Sequence, residues 1–525
     1  MSYATSPIFG FLSHLSVHQR GLLLAFVALK LALILLVPLT GDEAYFIVWG
    51  HELSLGYYDH PPMVGWVLYL ISGLADNLVV YRLFAFFAAA VISFVLYQTL
   101  RLHPKLNKDS AFYVAMAFFV SPISLMFVVT ANDTVLVFFS VLAFYFYART
   151  LAKPTLINAV LAGLFLGFAF LSKYFAAFML VGLFAYSLVY IKQVGWKWLA
   201  VMTAIILLFV AENIFFNATN GWNNILFNFF SRTTESTFEI SNVLSYIFMV
   251  IFLLSPLALF YLFKEKVLSQ EAAQSPLIKQ VLFASLPLLA ILLLVSFTNG
   301  VGLHWPLIAV TLMYLLYSLL PKTLLEKIYL FNGYSSLVLG AILLGALAFV
   351  DQLIPASQKH HVAVYTQPEK VCAQLPKTTF FTLGYSSQSA LSYHCNNDNI
   401  HVFKSVSKYG REDDKKTNFK VMDGQSIKVF VTDKKEIERV SRFFARTGVQ
   451  PLKIDEENTY YLINGQGFNY ALYHKEILTV VNDLFYAQPD WFPDIAGWLG
   501  LESSPFKAKY GFKSSAEEAT ETAPH

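Results

Sequence analysis

A chain of 525 residues that is 56% hydrophobic and only 14% charged, with a mean hydropathy of +0.55, has too little polar surface for a soluble protein, since soluble domains carry roughly 25% charged residues. The net charge of +3 excludes the strongly basic balance of a nucleic-acid binder. Aromatic residues reach 16%, with 49 Phe and 29 Tyr, which suits lipid-facing helices and their interface belts.

Met1–Gln19 lacks a short apolar core ending in a small-residue cleavage site, so the first long apolar run reads as a retained span. A membrane helix needs about 20 mostly apolar residues. About eleven such runs lie near 21–40, 80–100, 111–129, 134–150, 155–171, 174–191, 198–216, 243–263, 281–297, 303–320 and 329–350. Only Ser172-Lys173 separates the fifth from the sixth, which predicts a tight hairpin or one broken pair. The pattern is that of a polytopic α-helical membrane protein.

Orientation follows from Lys and Arg in short loops. Thirteen, from Arg20 and Arg101 to Lys322 and Lys327, fall on the side of the N-terminus; three, Arg82, Lys173 and Arg232, fall opposite. This predicts a cytoplasmic N-terminus. An odd number of spans then puts everything after residue 350 outside, together with a long loop at 41–79 and a second at 217–242. The large non-membrane parts all face outward, so the chemistry is expected there.

Beyond the membrane region of 1–350, residues 351–502 read as a small α/β domain. Strand-like runs at Thr379–Leu383, Ile400–Phe403 and Ile427–Val431 alternate with helical patterns at Glu436–Arg446 and Leu472–Leu484. Residues 503–525, rich in Ser, Ala, Glu and Thr, predict a disordered tail. Cys372 and Cys395 both fall in the outer part. A disulfide between them is expected in an oxidising compartment, with two free thiols as the alternative.

Ionisable and aromatic residues concentrate in the first outward stretch, Gly41-Asp42-Glu43-Ala44-Tyr45-Phe46, then Tyr57-Tyr58-Asp59-His60-Pro61-Pro62. Carboxylates where the membrane meets water act as general bases or cation ligands, or merely start a helix. Tyrosines stack on sugar faces or anchor at the interface. A histidine such as His60 meets a phosphate or a metal. Asp133 opens the fourth run, as a second acid or an N-terminal helix residue. Lys173, with Tyr174 beside it, breaks the positive-inside trend and calls for an anionic partner, either a lipid phosphate or a carboxylate. Arg82 is similar. Lys30, inside the first run, snorkels or pairs with Glu212. Trp222, in Asn220-Gly221-Trp222, and His304, in His304-Trp305-Pro306, complete the candidates.

Taken together, GDEAYF (41–46), LSLGYYDHPPMVGW (53–66), the Arg82 region, ANDTVLVFF (131–139), LSKYFA (171–176), ENIFFNATNGW (212–222) and LHWP (303–306) resemble the bacterial family-39 protein-mannosyltransferase-like glycosyltransferases. More distantly, the chain is similar to the transferases that add aminoarabinose to lipid A. The outer domain resembles the family only loosely, through YSSQSALSYH and QPDWFPDIAGW.

The resemblance implies a GT-C glycosyltransferase fold in the bacterial inner membrane, with a small periplasmic α/β domain. It implies inverting transfer from a polyprenyl-phosphate sugar, undecaprenyl in a bacterium, to lipid A, lipopolysaccharide or another envelope glycan, or alternatively to protein Ser/Thr. Asp42 is then the general base or acceptor-orienting acid, assisted by Glu43, with Asp133 as a second acid. His60, Lys173 and Arg82 meet the donor phosphate, although the aminoarabinose transferases carry Lys where His60 stands. Tyr57, Tyr58, Asp59, Tyr174, Trp222 and His304 are expected to touch substrate. No cofactor is required; a divalent metal on Glu43, His60 and His304 is the one open option. Rival classes are an O-antigen polymerase or ligase, which would lead with outer-loop arginines, and a lipid-linked glycan transporter, which would carry its ionisable groups near the bilayer midplane.

Overall fold

A computed structural model describes residues 14–104, 106–228, 238–266, 275–403, 411–456, 458–489 and 491–513. Arg232, counted above for orientation, lies outside them. In chain order the principal elements begin with α1 (Val17–Leu36), α2 (Gly41–His51), α3 (Met63–Ser72), α4 (Leu78–Arg101), α5 (Lys108–Phe119), α6 (Asn132–Ala152) and α7 (Leu156–Ser172). They continue with α8 (Ala176–Val189), α9 (Trp196–Thr219), α10 (Ile240–Leu253), α11 (Pro256–Lys264), α12 (Pro276–Ser296), α13 (Leu307–Met313) and α14 (Lys322–Ala348). The outer part adds α15 (Ala356–Thr366), α16 (Pro368–Gln374), β1 (Phe380–Thr382), α17 (Tyr385–Cys395), β2 (Ile400–Val402), α18 (Asp413–Lys416), β3 (Ile427–Val431), β4 (Phe444–Lys453), β5 (Thr459–Phe468) and α19 (Pro505–Tyr510). The chain forms two compact units, one of Met1–Val37, Ile71–Val210 and Ser236–Ala348, the other of Pro38–Leu70, Ala211–Glu235 and Phe349–His525.

The first unit is a helical bundle. Its entry is fixed by a capping box in which Ser16 and Gln19 satisfy each other's backbone N–H groups at the start of α1. Small residues on α4 (Ala85, Ala88, Ala89) and α5 (Ala111, Ala117) are buried in its core beside Leu22, Phe26 and Leu33 of α1, as expected where helices approach closely in lipid. Leu24, Leu35, Phe87, Phe94, Leu208 and Leu294 are exposed on the long helices. Such surfaces are costly in water and ordinary against acyl chains. Lys30 is fully buried, with Nζ 3.4 Å from Ser124 Oγ and within 6 Å of the rings of Phe26, Phe86 and Phe119.

All eleven apolar runs are helical, but not all are unbroken spans. Among the described residues, six helices are long and apolar enough to cross a membrane, or up to seven if the bent pair α10 and α11 counts as one. The run at 243–263 breaks at Ser255, where α10 and α11 meet at 82°. Ser255 has φ 60° and precedes Pro256, whose ring disfavours a helical predecessor and which offers no N–H to continue the ladder. The run at 111–129 breaks in the same way at Ser121-Pro122, and the run at 303–320 tightens into a 3₁₀ turn after Met313.

The second unit holds a five-stranded sheet of order β2-β1-β3-β5-β4. β1 pairs parallel with β2 and β3, which requires a crossover, and α17 supplies it between β1 and β2. β5 pairs antiparallel with β3 and β4. Alternation along β3 sends Ile427, Val429 and Val431 into one core and Phe430 into another. The helical pattern expected at Glu436–Arg446 stops at Ser441, and β4 begins at Phe444. The tail expected to be disordered from 503 opens instead with α19. Ser504 caps it, and Phe506 and Tyr510, four residues apart, are both buried in the domain core; residues 514–525 lie outside the described range.

Cys372 on α16 and Cys395 at the end of α17 form a disulfide, with Cα atoms 5.2 Å apart. A link closing 23 residues restricts the unfolded chain by about 3 kcal/mol. Replacing both cysteines with serine is expected to destabilise this unit by about that amount. Proteolytic cleavage of the intact protein within 351–502 should appear at a lower temperature; an unchanged cleavage profile would show that the link carries no stability.

Candidate functional site

The predicted site residues fall into one constellation in each unit. In the second unit, α2 begins where Thr40 accepts the backbone N–H of Glu43. This puts Asp42 and Glu43 in the first turn, where carboxylates suit the unpaired N–H groups and the dipole. Adjacent residues on a helix point about 100° apart, and here one acid is exposed while the other is 1% exposed. Asp42 is the accessible one. Its Oδ1 accepts a hydrogen bond from the hydroxyl of Tyr385, the first residue of α17, at 2.9 Å. Gly41 permits that contact, because a Cβ there would stand 2.6 Å from Cβ of Ser386.

The Tyr57–His60 segment is folded by its own backbone and by neighbours. The Tyr57 N–H donates to the His60 carbonyl at 3.0 Å. The Tyr57 ring stacks on Trp49 with centroids 4.3 Å apart, and its hydroxyl donates to the carbonyls of Trp49 and Glu52. Tyr58 is buried beside Phe227 and Tyr486, and its N–H donates to Glu412 Oε2. Asp59 forms a buried ion pair with Arg411. Asn224 and Asn228 hold the carbonyls of Tyr57 and Asp59, which explains the asparagine-rich stretch that follows the Asn-Gly-Trp turn. His60 is half-buried beside Phe46 and Trp49.

Three residues expected to touch substrate also carry structural contacts. Tyr57, Tyr58 and Asp59 are all 1% exposed or less, enclosed by the ring, backbone and ion-pair contacts just described. Trp222 is likewise buried, packed on Phe492. The turn before it needs glycine: Gly221 has φ +70°, and a Cβ would meet Ser504 Oγ at 2.7 Å.

The first unit carries the other constellation. Asp133 lies in the first turn of α6, and Lys173 ends α7. Lys173 Nζ donates to both Asp133 carboxylate oxygens, at 2.9 and 3.0 Å, and stands 5.1 Å from the Phe175 ring centre. His304 Nε2 is 3.8 Å from Asp133 Oδ2, and Tyr174 packs on Phe170. Of the two anionic partners open to Lys173, the structure supplies a carboxylate. Arg82 does not share this cluster. It is fully buried, and Nη1 donates to the carbonyls of Ile34 and Val37 at 2.8 and 2.7 Å. It thus satisfies the open C-terminal carbonyls of α1; a lipid phosphate would have to displace them. Among the described residues, no three His, Cys, Asp or Glu side chains group to hold a metal, so the set Glu43, His60 and His304 does not form one.

Sequence reasoning missed Tyr385 and Arg411. Arg411 is buried at φ 54°, with its guanidinium 3.8 Å from the ring centre of Tyr385 and 5.1 Å from that of Phe227. Burial works against its charge, but Asp59, with smaller contributions that include Asp42, outweighs that and holds it more firmly protonated than an ordinary guanidinium. Burial also raises the Tyr385 hydroxyl to about 12; Arg411 opposes the rise and Asp42 adds to it. Tyr385 is thus a protonated donor at neutral pH. The Arg411-Glu412-Asp413-Asp414-Lys415-Lys416 run looks like a solvated charge cluster in sequence, yet Arg411, Asp413 and Asp414 are buried.

A cavity of about 450 Å³ lies in the same unit, walled by Glu52–Leu55, Tyr57, Phe215, Phe216, Thr219, Asn220, Glu412, Lys415 and Lys416. Lys416 pairs with Glu52 at 2.7 Å and Lys415 with Glu412 at 3.1 Å.

The fold these elements build is the GT-C fold of membrane glycosyltransferases. ArnT from Cupriavidus metallidurans has it in the apo state, with TM-score 0.59 and 12% identity over 85% of this chain and 98% of that one. ArnT bound to undecaprenyl phosphate matches equally well, at 13% identity. Residues 59–215 match the model of the dolichyl-phosphate-mannose-protein mannosyltransferase family, the group the motifs resemble. A curated relative, the lipid A galacturonosyltransferase RgtD of Rhizobium johnstonii, is 30% identical over 146 residues. That match spans 27% of this chain and 30% of the relative's length.

Proposed function

We propose that the chain is an inverting glycosyltransferase of the bacterial inner membrane. It moves a sugar from a polyprenyl-phosphate donor to lipid A or a related envelope glycolipid on the periplasmic side. The observation that carries the reading is the accessible carboxylate of Asp42 at the head of α2, held by a hydroxyl donor. In the reaction an acceptor hydroxyl attacks the anomeric carbon. The new C–O bond forms as the bond to the lipid phosphate breaks, Asp42 takes the hydroxyl proton, and the electron pair leaves with the phosphate. The motif resemblance assigns Lys173 to that phosphate. His60 remains a second candidate; Arg82 acts through the end of α1 rather than by touching donor.

The donor class is supported by the undecaprenyl phosphate bound to ArnT, and the acceptor class by the name of the Rhizobium relative. The Cys372–Cys395 link and the lysine-rich loops support a periplasmic outer domain and a cytoplasmic N-terminus. The purified protein, given a panel of undecaprenyl-phosphate sugars, should release undecaprenyl phosphate only when lipid A is present. Release from none of them, or release without an acceptor, would remove the proposal.

The 450 Å³ cavity suits the acceptor's phosphorylated headgroup, with lysines for phosphate and Asn220 and the carboxylates for hydroxyls. The Lys416–Glu52 pair, 34% and 60% exposed, is weak enough to exchange for a ligand. Replacing Lys415 and Lys416 together with alanine is expected to raise the acceptor KM roughly tenfold, with kcat and donor KM kept. An unchanged acceptor KM would remove the cavity from the account.

A further inference from the structure

We propose that Tyr385, braced by Arg411, is a positioning residue that holds the Asp42 carboxylate in the orientation it needs to receive the acceptor's proton. This rests on the reading of Asp42 as the base.

A carboxylate only accepts hydrogen bonds, so in the 2.9 Å contact the Tyr385 hydroxyl is the donor. That bond fixes one oxygen of an otherwise exposed side chain at the head of a helix, leaving the rest of the carboxylate to be met by substrate. The tyrosine itself is not free to turn. The Arg411 guanidinium lies 3.8 Å from its ring centre, and the ring of Tyr45 packs edge-on at 4.8 Å. Arg411 in turn is tied by its buried pair with Asp59. Its φ of 54° is one that non-glycine residues rarely adopt, and such residues persist where surrounding contacts over-determine them.

Asp59, Arg411, Tyr385 and Asp42 thus form one chain of contacts from the His-Pro-Pro loop through the outer domain to the catalytic carboxylate. The charged and titratable groups that face Asp42 are Tyr385 and Arg411, with Tyr365 from α15. The disulfide fastens the far end of α17, the helix that Tyr385 begins.

The test compares Tyr385→Phe with Asp42→Asn in the full-length protein in detergent, using the donor that the wild type turns over and lipid A as acceptor. Phenylalanine keeps the ring and its stack on Arg411, so folding should persist. Loss of one hydrogen bond to a charged group predicts a kcat fall of roughly 10- to 100-fold. Donor KM should stay within about twofold, so that the loss falls on kcat. If Asp42→Asn is dead while Tyr385→Phe keeps the wild-type kcat, the positioning role is wrong and the reading of Asp42 stands. A loss in Tyr385→Phe that raises donor KM as much as it lowers kcat, or that tracks a lowered thermal midpoint, would make the tyrosine merely structural, which also overturns the proposal. Wild-type turnover by Asp42→Asn would overturn the reading of Asp42 itself.

Discussion

Asp42→Asn is expected to lower transfer at least 10²-fold, the lower end of what a positioned general base contributes, while the protein still inserts and folds. The amide keeps the size of the carboxylate and can accept the Tyr385 hydrogen bond through its oxygen, so α2 and its packing on α17 survive. What it loses is the capacity to take a proton. Glu43 does not replace it, being 1% exposed on another face of the same turn. The measurement is single-turnover release of undecaprenyl phosphate by wild type and variant at equal folded concentration. Thermal midpoints within a degree or two would establish that folding is equal.

The second large effect falls on Lys173. Its bidentate pair with Asp133 is nearly buried, with side chains 10% and 13% exposed. Lys173→Ala leaves a buried carboxylate without its cation, and breaking such a pair from one side costs about 3–5 kcal/mol. The single variant should therefore lose stability and activity together, which alone says nothing about phosphate. The double variant Lys173→Ala with Asp133→Asn removes the stranded charge and should recover most of the thermal stability. If Lys173 serves the departing phosphate, the recovered protein still turns over at least tenfold more slowly. If it regains full activity with its stability, the lysine holds the fold and nothing else.

Much of the architecture was legible in the sequence because membrane helices announce themselves through runs of apolar residues. All eleven runs proved helical. What the runs concealed was continuity. Ser255-Pro256 and Ser121-Pro122 interrupt stretches whose average hydropathy hardly changes, and a window average does not see one missing N–H group. In the outer domain, the short strands around Phe380, Ile400 and Ile427 showed through their hydrophobic pattern. β4 and β5 did not, because Gly448, Pro451, Gly465 and Gly467 blur the alternation and most of β4 is exposed.

The candidate site was legible as a list and not as an arrangement. Asp42 and Glu43 look equivalent in sequence and differ completely in exposure. Tyr57, Tyr58 and Asp59 look like a substrate-facing cluster, but each found a partner in the fold first. Arg82 and Lys173 look alike as outward cations, yet one satisfies carbonyls at a helix end and the other a carboxylate. Arg411 and Tyr385 lie more than 340 residues along the chain from the residues they hold. Nothing in a single sequence links them.

The central claim is that this chain decorates an envelope glycolipid using a lipid-linked sugar. Mass spectrometry of lipid A, from cells expressing the wild type and from cells expressing Asp42→Asn at matched membrane levels, tests it most directly. The account predicts one added sugar residue on lipid A in the first and none in the second. Identical lipid A spectra, with the added mass in both or in neither, would contradict it.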